Sequence, residues 1–185
     1  MKIRIFSFLV VLALLGGCRA AGPSTPARTV AEFFRKYDGR PGFKTTDWSA
    51  GLTTRLLLGR IAKLGGDNDI SQALTAIRSF KVITFTPTSS GAMKLADEGL
   101  EREVTSLLAN EKYTPLTVTA PDNSSTALRY SVRQQGDRVQ ELVATGRVND
   151  APDSFMLVDI AGNFTTEQVN QLVKFLPGTV GELGR

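Results

Sequence analysis

The sequence predicts an α+β domain: a two-layer sandwich in which a mixed or mainly antiparallel sheet carries its helices on one face. Three observations predict it. Apolar residues recur at helical spacing through the first half of the chain. After Tyr113 the period changes to two, with apolar and polar residues alternating along several short runs. A capped helix then closes the chain behind those strands, and helices gathered ahead of a block of strands favour an antiparallel sheet over alternating βαβ units.

Val30, Phe33, Phe34 and Tyr37 fall at i, i+3, i+4 and i+7, one face of a helix that Asp38-Gly39-Arg40-Pro41-Gly42 ends. Phe43 to Ser49 reads as a short strand. Leu52, Leu56, Leu57, Ile61 and Leu64 mark a second helix stopped by Gly65-Gly66, and a brief third one follows. Asp67-Asn68-Asp69-Ile70-Ser71 imitates the opening of a calcium loop, but Gln72 stands at the turn-glycine position and Arg78 at the closing acidic one. Capping of the third helix by Asp69 explains these residues better, so no metal site is expected. Ser79 to Thr86 is β-branched and aromatic with apolar groups on both faces, as in a strand covered on both sides. Ala96, Leu100, Val104, Leu107 and Leu108 then line one face of a longer helix, whose other face carries Lys94, Asp97, Glu98, Glu101 and Arg102.

Leu116 and Val118 suggest a short strand before the turn-rich Pro121-Asp122-Asn123-Ser124-Ser125. Leu128, Tyr130 and Val132 alternate with Arg129, Ser131 and Arg133, and Gln135-Gly136-Asp137 turns the chain into Val139 to Arg147, an antiparallel hairpin. Phe155 to Ile160 completes a meander, with Asp159 the charged residue in an apolar run. Thr165 and Gln168 fit a capping box and Phe164 and Val169 a hydrophobic staple; Val169, Leu172, Val173 and Leu176 give the helix its buried face.

Ahead of the domain, Met1 to Arg4 is positively charged and Ile5 to Leu15 is an apolar run too short to cross ~30 Å of hydrocarbon. Leu15-Gly16-Gly17-Cys18 follows, the pattern of a lipobox: an aliphatic residue, two small ones and a cysteine. Residues 1–17 are therefore expected to be a signal peptide cleaved between Gly17 and Cys18, with Cys18 lipidated. Residues 18–28 form a tether, 29–178 a single domain and 179–185 a tail. Arg19 to Ala27 of the tether, which contain Gly22-Pro23-Ser24-Thr25-Pro26, span ~15–18 Å as a coil. Arg19 stands where an Asp would signal retention at an inner membrane, so the expected location is an outer membrane, facing the periplasm.

Composition narrows the chemistry. Cys18 is the one cysteine and there is no histidine, so a lipidated chain has no thiol nucleophile, no disulfide, and neither the commonest general base nor the commonest zinc ligand. No cofactor is expected. The 22 basic residues include Lys2 and Arg4 of the leader, leaving 20 against 18 acidic ones, a balance unlike that of a nucleic-acid-binding protein.

The whole layout resembles a family of short bacterial lipoproteins, common in Bacteroidetes and catalogued only as a domain of unknown function. The likeness is carried by Phe33-Phe34-Arg35-Lys36-Tyr37 with Gly42-Phe43, by Val82-Ile83-Thr84-Phe85, by Glu141-Leu142-Val143, and by Leu157 through Thr165. The resemblance agrees with the lipobox and tether and implies no functional residue. The function expected is a non-enzymatic binding or interaction module held at the membrane. Its candidate face carries Arg129, Arg133, Arg138 and Arg147, which suit an anionic envelope protein, glycan or lipid head group. The alternatives are a carboxylate- or serine-based hydrolase, for which Asp159 is the candidate acid or base although no G-x-S-x-G occurs, and a self-assembling structural component. A pocket with two convergent carboxylates would favour an enzyme; a groove without them would favour a binding module.

Overall fold

A computed structural model describes residues 25–49, 68–118, 128–148 and 151–183. Helix α1 (Val30–Tyr37) starts at Thr29, whose hydroxyl accepts the Glu32 N–H at 3.0 Å, while Glu32 accepts the Arg28 N–H at 2.8 Å. Strand β1 (Phe43–Ser49), helix α2 (Asn68–Thr75) and strand β2 (Ile77–Phe85) follow. Because α2 begins at Asn68, Asp69 falls in its first turn rather than at the cap. Helix α3 (Ser90–Lys94) passes through a π-helical stretch (Leu95–Leu100) into α4 (Glu101–Asn110). Strands β3 (Thr114–Leu116), β4 (Arg129–Gln135), β5 (Arg138–Val148) and β6 (Ala151–Phe164) precede the last helix, α5 (Thr166–Leu183). The expected signal peptide, Gly17, Cys18, the helix expected over Leu52 to Leu64, and the turn expected at Pro121 to Ser125 lie outside the described residues.

The strands form one sheet in the order β1-β2-β6-β5-β4-β3, antiparallel at every pairing. The α+β class, the antiparallel sheet and the β3-to-β6 meander are as the periodicity predicts. The expectation that the helices sit on one face is not met: α2 and α5 cover one face, and α1 and α4 the other. The reason lies in the two central strands. Phe80 and Val82 of β2 and Met156, Val158 and Ile160 of β6 face α5, while Ile83, Phe85, Phe155 and Leu157 face α4. Burying an aliphatic or aromatic side chain contributes ~1.5–3 kcal/mol, so a sheet apolar on both sides is stable only when both are covered.

Local chemistry sets the register. Gly136, at φ 64°, opens the two-residue loop between the paired Gln135 and Arg138, where an L side chain would be strained. Both pairings of β5 shift between Val139 and Glu141. The shift turns Val139 into the α5 core beside Leu142 and Ala144, leaving Glu141 on the α4 face with Val143. At Gly162 a Cβ would fall 2.5 Å from the Ala76 carbonyl and overlap the Phe164 ring, so the chain after α2 can approach β6 only at a glycine. The expected capping box is present: Gln168 accepts the Thr165 N–H at 2.9 Å and Thr165 accepts the Gln168 N–H at 3.2 Å.

Candidate functional site

Helix α4 lies over the α4 face without reaching across the outer strands, and a groove of about 640 Å³ opens beside it. Val104, Thr105 and Leu108 of α4 form one wall and Pro115 and Leu116 of β3, with Thr117 directly after them, the other; Ser131, Thr145 and Phe155 lie in the floor. The lining is mostly apolar, interrupted by hydroxyls. Among the described residues Glu101 is its one carboxylate, and it is paired at 3.2 Å with Arg129, which also lines the groove. The Tyr113 ring closes one end.

Behind Tyr113 stands a buried polar cluster. Asp159 of β6 lies opposite Val143 of β5, so Glu141, two residues earlier on the same face, is its diagonal neighbour. Asp159 is 8% exposed and Glu141 9%. Glu141 forms an ion pair with Arg133, its cross-strand partner on β4. The Arg133 guanidinium also sits 5.7 Å from the centre of the Tyr113 ring. Lys81, opposite Asp159 on β2, is engaged by Asp47 of β1 at 3.4 Å. Among the described residues, the Asp159 Oδ1 and the Tyr113 hydroxyl are buried without a hydrogen-bond partner. Burial first, then the charge and hydrogen bonding of Glu141, push the Asp159 carboxyl up to about 8; Lys81 pulls the other way. Burial and the nearby Glu141 likewise hold the Tyr113 hydroxyl well above its ordinary range, so it stays neutral.

A second cluster fixes the start of the domain against the far side of α4. Glu103 accepts the Ala27 N–H at 2.5 Å, Lys36 Nζ at 2.6 Å and the Tyr37 hydroxyl at 2.7 Å, and Glu111 accepts the Val30 N–H at 2.6 Å. Charge-assisted bonds of this kind are roughly twice as strong as neutral ones. Burial, and then its bond to Glu103, raise the Tyr37 hydroxyl far above its usual pKa. The ring of Tyr37 stacks on Phe43 at 4.5 Å, and Phe43 in turn meets Phe85 at 4.4 Å, so the cluster is continuous with the core.

The residues singled out in the sequence are distributed as follows. Arg129 and Arg133 share the α4 face, each with an acidic partner. Arg138 lies at the hairpin turn and Arg147 near the other end of β5, about 30 Å along the strand. Asp159 gains a partner carboxylate, but neither Asp159 nor Glu141 lines the groove, whereas their neighbour Tyr113 does. Sequence reasoning did not connect Glu141 to Asp159, because the pairing depends on strand order and on the register shift at β5. The lone acid flanked by apolar residues was the available signal, and it marked only half of the pair. Among the described residues, no group of three or more metal-ligating side chains converges and no helix is long and apolar enough to cross a membrane.

No curated protein and no solved structure matches the chain. A family model does, over residues 44–172, from β1 through the first turns of α5 and including both the groove and the carboxylate cluster. The chain therefore belongs to the family described as Domain of unknown function (DUF4252).

Proposed function

We propose that the protein is a non-catalytic binding module tethered to a bacterial envelope membrane through lipidated Cys18, and that the groove beside α4 receives its partner. The groove carries this reading. Its walls are apolar with scattered hydroxyls, and the one carboxylate that lines it among the described residues is already ion-paired. The two carboxylates that are neighbours, Asp159 and Glu141, are buried and do not line the groove. A groove of this size and lining suits recognition of an apolar segment or chain better than hydrolysis. The lipobox and tether support membrane attachment, with the outer membrane facing the periplasm as the favoured location.

Two measurements test the reading. Intact mass of the membrane-extracted protein should show cleavage before Cys18 and added acyl chains, and Cys18→Ser should release the protein from the membrane fraction. Loss of neither mass nor attachment would remove the anchor. For the groove, a photo-crosslinking residue placed at exposed Thr105 or Thr117 should capture one discrete adduct in cells, and Ser131→Trp should abolish it by filling the floor. Placed at Lys174, exposed on α5, the same group should capture none. Equal labelling from Lys174, or no adduct from either groove position, would refute the assignment.

A further inference from the structure

We propose that Asp159 and Glu141 hold a single proton between them, making the centre of the α4 face a pH-sensitive latch between β5 and β6. The inference rests on geometry and goes beyond the binding reading without depending on it. The two carboxyl groups are diagonal neighbours on adjacent central strands, both almost wholly buried. Two carboxylates so close in a low-dielectric interior resist ionising together, as in any buried carboxyl dyad.

The surrounding charges do not relieve the pair. Arg133 of β4 is committed to Glu141. Lys81 of β2 faces Asp159 but is shared with Asp47 of β1. From the turn after α4, Glu111 adds a third negative charge, itself engaged by the Val30 N–H of α1. Tyr113, from the same turn, is neutral. The charges facing the site from β1, β2, β4, β5, β6 and the turn after α4 are thus four acids, counting Asp47, against two bases. The Asp159 Oδ1 meets no donor, the environment expected of a protonated carboxyl rather than a carboxylate. A neutral Asp159 donates its proton to Glu141, and Glu141 remains the anion that Arg133 needs.

The sign of the pH dependence follows from linkage. In the unfolded chain the Asp159 carboxyl ionises near its ordinary value of about 4, whereas in the fold it keeps its proton up to about 8. Between those values the folded chain binds the extra proton, so this group's contribution to stability is fully present in acid, declines as pH rises through that window, and levels off above it.

The test compares the full-chain wild type with Asp159→Asn, which keeps a donor toward Glu141 and cannot ionise. Thermal unfolding from pH 4.5 to 9 should give midpoints that lie close together in acid and diverge as pH rises. The Asn variant should end roughly 5–10 °C ahead at pH 8. Parallel profiles would overturn the proposal. A second readout does not depend on the variant folding: infrared or ¹³C carboxyl spectra of the wild type at pH 7 should contain one neutral carboxyl that ionises toward pH 9. A spectrum showing every carboxyl ionised at pH 7 would equally overturn it.

Discussion

The two faces of the sheet are closed by different means. Under α5 the interface is a run of aliphatic and aromatic side chains: Val82, Leu142, Val158, Ile160 and Phe164 from the strands, and Val169, Leu172, Val173 and Leu176 from the helix. The buried Tyr130 hydroxyl on that side donates to the Val173 carbonyl at 3.4 Å, and its pKa is pushed up to about 12 by burial. Under α4 the core is interleaved with buried acids and bases. The three buried side-chain polar atoms left without a partner among the described residues, Thr45 Oγ1, the Tyr113 hydroxyl and Asp159 Oδ1, all lie there. One face is built for stability; the other retains costly polar groups, the pattern that accompanies binding sites and titrating groups.

That contrast can be broken by substitution. The largest loss is expected on the apolar face. Phe164→Ala removes a fully buried ring that packs between β6 and α5 and should cost about 3–5 kcal/mol in urea unfolding. A loss under about 1 kcal/mol would mean that α5 is not the stabilising layer. On the polar face, Glu103→Ala strands Lys36 and frees the Ala27 amide and Tyr37 hydroxyl, for an expected loss of about 3 kcal/mol in the same assay. Should that variant prove neutral, the buried ions of the α4 face contribute nothing net to the fold and the contrast sharpens. The smallest effect belongs to Arg129→Ala at the groove, whose side chain is 69% exposed. Its stability should change by less than about 1 kcal/mol, and adding salt should shrink the difference further.

Much of this organisation was legible in the residues. The helical faces of α1, α4 and α5, the capping box at Thr165, and the Gly136 hairpin follow from spacing and turn chemistry, which act over a few residues. The layer arrangement is legible too, though not in the order of elements along the chain: Ser79 to Thr86 is apolar on both faces, and a strand of that kind demands cover on both sides. The site was less legible. Nothing local announces that Glu141 lies beside Asp159, since their meeting requires β6 next to β5 and the shift at Val139. The groove is likewise the gap left where α4 stops short of β3 and β4, a property of packing rather than of any motif.

The sheet order carries a consequence for how the chain comes into being. Its central strand is β6, which bonds β2 on one side and β5 on the other, so the β1–β2 pair and the β3–β4–β5 sheet have no shared neighbour until residues 151–164 exist. During synthesis from the N-terminus, the two half-sheets wait as separate, unclosed pieces, and the long-range β2–β6 pairing that joins them forms last. The fold is withheld until its keystone strand leaves the ribosome. For almost the whole of its translation, therefore, the nascent chain exposes two open sheet edges that only this last strand can pair.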